Sequence, residues 1–187
     1  MLSKVLVGLL AVLLCADAAF GLTIVSRSEW GAAAYRGTKT TLANGKSYAI
    51  IHHTAGAYCS TKAACITQMK NIQNYHQNTQ GWDDIGYNFL IGGDGNAYEG
   101  RGWNVVGVHA SGYNSLSLGI SFMGNYNNDR PNAAQIKTAK ELLAAAVSRG
   151  QIVSNYILYG HRQVSATECP GTNLWNEIKT WPNWRTK

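Results

Sequence analysis

Acidic residues are scarce in this sequence: Asp and Glu number 10 against 16 Lys and Arg, a formal charge of +6. Charged residues make up only 14% of the chain and hydrophobic residues 45%, which excludes a disordered polyampholyte. Four cysteines in 187 residues are too few for a disulfide-built scaffold. No G-x-S-x-G elbow, HExxH helix or phosphate-binding glycine loop occurs, and Gly92-Gly93-Asp94-Gly95 reads as a turn. There is no N-x-Ser/Thr sequon, so N-glycosylation is not expected. No repeat, low-complexity run or linker divides the chain, and its length suits one domain that buries about two-thirds of its unfolded surface.

No apolar stretch approaches the roughly 20 residues that a bilayer requires, so no membrane association is expected. The first segment has a different layout. Lys4 precedes the apolar run Val5–Leu14, and small residues Ala19 and Gly21 follow at signal-peptidase spacing. Residues 1–21 therefore read as a secretory signal, cleaved after Gly21 or alternatively Ala18, leaving a mature secreted, extracellular domain over 22–187. Cleavage removes Cys15 and leaves three cysteines. Cys59 and Cys65, six apart, can pair, for about 2 kcal/mol in the chain-entropy account. Cys169 is then a spare thiol: buried and inert, paired between chains, or metal-bound.

Within the mature region, Ser47–Thr54 is a β-rich apolar run. Thr61–Asn78 carries Ile66, Met69, Ile72 and His76 on one helical stripe. Tyr87–Ile91 and Asn96–Glu99 flank the glycine turn as a hairpin, and Ser117–Phe122 is a further apolar strand. Pro131 opens a helix and Gly150 closes it, with Ile136, Ala139, Leu143 and Ala146 on the buried face. Asn155–Tyr159 is a strand, Gly160–Gly171 a loop and Trp175–Lys179 a short final helix. Alternating strands and helices with one hairpin imply a single α/β domain with a mixed central sheet flanked by helices.

Active residues in such folds sit where strands run out into loops. One such place holds His52-His53; the other opens with His161, and Cys169 follows eight residues on. Two imidazoles, a thiolate and an open fourth position define a catalytic zinc site of net charge about +1. The competing reading is two core histidines and one buried thiol. Adjacent strand residues point to opposite faces, so only one of His52 and His53 can enter a shared site, and the residues alone leave open which. Tyr87 and Tyr98 could bond a metal-held water, Thr167 could donate a hydroxyl, and Glu168 and Asp83–Asp84 could act as bases.

The motifs together are more specific. Ser28-Glu29-Trp30-Gly31-Ala32, Ile51-His52-His53-Thr54, Gly81-Trp82-Asp83-Asp84-Ile85-Gly86-Tyr87-Asn88-Phe89, Asp94-Gly95, Tyr98-Glu99-Gly100-Arg101-Gly102-Trp103, and Gly160-His161-Arg162 through Thr167-Glu168-Cys169-Pro170-Gly171 occur in this order. The sequence thereby resembles the peptidoglycan recognition proteins and the related type 2 N-acetylmuramoyl-L-alanine amidases, over nearly all of 27–184 and most closely the short secreted catalytic branch. The resemblance implies a zinc amidase fold with Zn2+ held by His52, His161 and Cys169, and a Cys59–Cys65 disulfide. It puts catalytic roles on Tyr87 and Thr167, the latter a lysine in phage relatives. It implies wall contacts at His53, Thr54, His76, Gly81, Trp82, Tyr87, Arg101, His109 and Asn114. Arg101 with Gly81-Trp82 implies a preference for a diaminopimelate-type stem, whose extra carboxylate a guanidinium can hold.

The expected activity is hydrolysis of the lactyl amide between muramic acid and L-alanine, since relatives that only bind the wall usually lack the ligand cysteine. A non-catalytic recognition protein is the alternative. The expected partner is bacterial peptidoglycan, whose anionic groups suit the +6 charge. Nucleic acid is not expected, because the basic residues are scattered and the Lys137–Lys140 pair reads as a solvated helix face. A monomer, and a role in dampening innate immune signalling, complete the expectations.

Overall fold

A computed structural model describes residues 21–187; the expected export segment therefore lies, Gly21 aside, outside the described residues. The elements in chain order are β1 (Ile24–Val25), α1 (Arg27–Trp30), β2 (Lys46–His53), α2 (Lys62–Asn78), β3 (Phe89–Ile91), β4 (Ala97–Glu99), β5 (Ser117–Phe122), α3 (Ala133–Ser148), β6 (Ile152–Gly160), a 3-10 turn (His161–Gln163) and α4 (Thr172–Ile178). The strands form one six-stranded sheet in the order β1-β4-β3-β5-β2-β6. β3 and β4 pair antiparallel as a hairpin, while β2 runs parallel to both β5 and β6, so the sheet is mixed as its strand–helix alternation implies.

The pleat assigns the two faces. Ala49, Ile51, Phe89, Ile91, Leu118, Ile120, Phe122 and Leu158 point to the face covered by Ala139, Leu142 and Leu143 of α3 and Leu174 and Ile178 of α4. Leu90 and Tyr98 point the other way, onto Cys65 and Met69 of α2 and onto Trp30. Thus α2 covers only the β1-β4-β3 half of its face. Over β5, β2 and β6 that face is left to Tyr48, Ile50, His52 and Tyr159, roofed by a loop carrying His109, Ala110 and Tyr113.

Local chemistry sets the element ends. Asn132 caps α3 by accepting from Gln135 N, and Gln135 reaches back to Asn132 N, a reciprocal capping box. Pro131 therefore lies before the cap rather than inside the first turn, while Gly150 takes the left-handed φ of 66° that stops the helix. The strand read as Asn155–Tyr159 extends back to Ile152, because β6 is an edge strand whose exposed Ser154 and Asn155 need no apolar partner. The strand read from Tyr87 begins at Phe89, since buried Asn88 breaks the ladder: its amide donates to Gly102 O and Val105 O. The final helix begins at Thr172. β1 and α1 are too short for a periodic signal, although Ser26 and Glu29 form a capping box around α1. Cys59 and Cys65 are joined in a disulfide that pins the loop before α2.

Candidate functional site

Strand register brings two sequence-distant histidines to one level. Ile51 of β2 pairs with Gly160 of the parallel β6, so the next residues, His52 and His161, emerge at the same sheet end. Their rings lie 4.4 Å apart. The loop beyond His161 folds back when Arg162 N–H donates to Cys169 O at 2.8 Å, which returns the thiol to the strand ends. His52 Nδ1 and Cys169 Sγ are 3.7 Å apart, and one donor atom from each of His52, His161 and Cys169 lies within 4.8 Å of the other two. Tetrahedral ligation at ordinary Zn–N and Zn–S lengths needs an N···S separation of about 3.6 Å, so the donor set fits zinc in both chemistry and span.

Electrostatics keep both imidazoles neutral. Burial, then the neighbouring imidazoles, hold His52 well below the usual histidine range, and burial lowers His161. Burial also pushes the Cys169 thiol up to about 12. A divalent cation would therefore displace its proton from sulfur rather than from nitrogen.

His52 and His53 face opposite ways. The His53 ring accepts from Tyr126 N–H at 3.2 Å, and only its backbone reaches Cys169: its N–H lies 3.4 Å from Sγ and its carbonyl accepts from the thiol at 3.8 Å. Burial, then the Arg162 cation, push the His53 imidazole down to about 4. Thr54 ties two loops together, accepting from Gly124 N–H at 2.9 Å. Tyr87 stands 5.3 Å from the His52 ring, and burial raises its hydroxyl above the ordinary tyrosine value. Thr167 is exposed; its Oγ1 accepts from Cys169 N–H at 3.2 Å, so its own hydrogen is free to donate. A polar cleft of about 530 Å³ lies beside it, lined by Asn127, Asn128, Arg162, Thr167, Glu168 and Thr172. Two atoms of its walls, Asn127 Oδ1 and Arg162 Nε, are buried without a hydrogen-bond partner among the described residues.

The remaining expected contact residues fall in two groups. His76, at the end of α2, lies 4.6 Å from Trp82 and 5.7 Å from Tyr87 and accepts from Gly86 N–H, while Gly81 is exposed at a left-handed φ of 72°. Burial, then the Arg101 cation, push the His76 imidazole down to about 4. Arg101 is only 8% exposed, and its guanidinium faces inward: Nε donates to Ile85 O, Nη1 to Val106 O and the Tyr35 hydroxyl, and Nη2 to Asp84 O at 3.4 Å. Only the Nη2 edge retains capacity for a further acceptor. His109 is buried with Nδ1 3.0 Å from His52 Nε2, and Asn114 Oδ1 accepts from the His109 and Ala110 N–H groups, shaping the loop that carries it.

Other polar residues weighed from sequence lie elsewhere. Tyr98 turns its hydroxyl to Asp94, Asp84 is buried against Arg27 at 2.8 Å, and Glu168 accepts from Asn127. Sequence reading passed over Ser117 and Ser121. Ser121 pairs in register with His52, and its buried hydroxyl sits beside Tyr87, close enough to favour the ionised form of that tyrosine. The signal was present: Ser117, Gly119 and Ser121 alternate with Leu118, Ile120 and Phe122, giving one strand face too small to be core.

A mixed-sheet α/β domain whose two histidines and a cysteine converge at the strand ends, where they could hold a metal ion, defines an amidase-type fold. A family model described as N-acetylmuramoyl-L-alanine amidase matches residues 43–172, and the chain belongs to this family and to the peptidoglycan recognition proteins within it. It is 69% identical over 185 residues to peptidoglycan-recognition protein SC2 of Drosophila simulans, covering 99% of this chain and 100% of that one. It is 43% identical over 160 residues to the N-acetylmuramoyl-L-alanine amidase of Mus musculus, covering 84% of this chain and 30% of the mouse protein. The crystal structure of peptidoglycan recognition protein-LE in complex with tracheal cytotoxin, a monomeric diaminopimelic acid-type peptidoglycan, aligns with a TM-score of 0.86 at 41% identity, over 88% of this chain and 96% of that one.

Proposed function

We propose that the protein is an exported zinc-dependent N-acetylmuramoyl-L-alanine amidase that hydrolyses the lactyl amide between muramic acid and L-alanine of bacterial peptidoglycan. In this role it scavenges wall fragments and dampens the innate immune signalling they provoke. The observation that carries the reading is the convergence of His52, His161 and Cys169 beside the hydroxyls of Tyr87 and Thr167. Family membership and the mouse relative's name support the reaction class.

A zinc ion held by those three side chains would polarise the lactyl carbonyl and activate water. The reaction joins a water oxygen to the carbonyl carbon, breaks the C–N bond and leaves a muramic acid carboxylate and a free L-alanine amine. Tyr87, half-buried and protonated, serves as a hydrogen-bond donor to the developing oxyanion rather than as a base. Thr167 donates from the exposed surface beside Cys169, with its oxygen fixed by the Cys169 N–H. The polar cleft beside Thr167, with its unpartnered Asn127 and Arg162 atoms, suits the hydroxyl-rich muramic acid. His76, Gly81, Trp82 and Arg101 flank the other side of Tyr87 and suit the stem peptide.

A diaminopimelate-type stem is the preferred substrate in this reading. The remaining Nη2 edge of Arg101 meets its third-residue carboxylate, and a relative was solved with such a fragment. Retention of Cys169 and Tyr87 argues against a protein that only binds the wall. The test is release of L-alanine amino termini from purified wall by the zinc-loaded protein. Binding without new amino termini at saturating zinc would establish the recognition-only alternative.

A further inference from the structure

We infer that His109 is a positioning residue for the metal centre, fixing the tautomer of His52 so that its Nδ1 lone pair faces Cys169 and His161. The inference rests on the zinc reading above but concerns a residue that supplies no ligand atom. Four contacts define the direction of the chain. Ser117 Oγ is 2.7 Å from Tyr113 O and 3.5 Å from His109 Nε2. The short contact goes to a carbonyl that can only accept, so the serine hydrogen points there and its oxygen accepts from His109 Nε2–H. His109 Nδ1 then carries a lone pair, and at 3.0 Å it accepts from His52 Nε2–H. His52 Nδ1 is left bare, 3.7 Å from Cys169 Sγ. A ligating imidazole needs this arrangement: one nitrogen donates to a fixed acceptor and the other binds the metal.

The fold makes room for the His109 ring in particular. A Cβ on Gly119 of β5 would lie 2.4 Å from His109 Cδ2, and one on Gly107 would lie 2.6 Å from the same atom. Asn114 anchors the backbone at His109 and Ala110 through two 2.8 Å hydrogen bonds. The ring is 7% exposed and both its nitrogens are engaged, which fits a support better than a surface that meets the wall.

The test uses the full mature protein. The tautomer of His52 is read by 15N NMR on the metal-free wild type, and zinc affinity by chelator competition on wild type, His109→Asn, His109→Leu and Gly119→Ala. Asparagine places a side-chain oxygen where Nδ1 lies and keeps the acceptor. Leucine removes it, and the Gly119 methyl displaces the ring without touching any ligand. The expected results are hydrogen on Nε2 of His52, affinity for His109→Asn within a few-fold of wild type, and losses of about 10- to 100-fold for the other two. The inference is overturned if His52 carries its hydrogen on Nδ1, or if wild type and folded His109→Leu bind zinc equally tightly. Wild type that binds no zinc while His52 keeps its Nε2 hydrogen would instead overturn the metal reading itself, and with it the service of His109 to a metal.

Discussion

Buried Cys169 has a backbone N–H contact from His53 and two imidazole neighbours, which an inert core thiol does not need. Its sequence signal was only arithmetic, an odd cysteine in a chain expected to be exported. That signal left three fates open, because spacing to His161 says nothing of how a loop returns. Replacing Cys169 by Ser should abolish stoichiometric zinc binding while the fold, judged by circular dichroism, persists. Tyr87→Phe should keep zinc, measured by atomic absorption, and lower kcat about a hundredfold, the usual loss of roughly 3 kcal/mol for one oxyanion donor. His76 bears on pH. Its folded imidazole sits at about 4, below the ordinary 6.5, so the unfolded chain binds a proton that the folded chain refuses. Stability at that residue is complete above about pH 6.5 and falls as pH drops towards 4, with a slope of up to about 1.4 kcal/mol per pH unit. Urea titrations of wild type and His76→Gln between these limits should differ in slope, the variant being flatter.

Elements were legible where their period was clean. The α2 stripe follows from its helical period, the hairpin from its glycine turn and β2 from its apolar β-rich run, and the structure keeps them. Alternation also sets His52 against His53, but it is blind to which face is which. That choice was made by β5, whose Ser117, Gly119 and Ser121 leave one face open for rings. Edge strands and two-residue strands escaped because exposed polar positions and short runs carry no period, as β6 and β1 illustrate. The disulfide before α2 closes a loop of six residues' separation. Replacing Cys59 and Cys65 by Ser together should lower unfolding free energy by about 2 kcal/mol in denaturant melts, with zinc stoichiometry unchanged.

Across the whole molecule, two helices cover one sheet face fully and α2 covers half of the other, so the uncovered half becomes the site. Among the described residues no helix is long and apolar enough to cross a membrane. The Lys137–Lys140 pair is partnered by Glu141 and Glu177 at a solvated helix face, as its spacing implies. In the proposed reading substrate preference rests on Arg101, which lies on the His76 side of the site, away from the cleft beside Thr167. Arg101→Thr should erase a preference for diaminopimelate-type over lysine-type wall, read as the ratio of kcat/KM on the two. Some loss of stability should accompany it, because the guanidinium also ties the carbonyls of Asp84 and Ile85 to that of Val106.

The central claim is that this centre cleaves the lactyl amide. It is tested most directly by counting L-alanine amino termini released from purified diaminopimelate-type peptidoglycan by wild type and Cys169→Ser, each with its bound zinc measured in the same sample. The account requires wild type to hold one zinc and release termini steadily, and the variant to hold none and release none. Equal release by the two proteins, or none by fully zinc-loaded wild type, would contradict it.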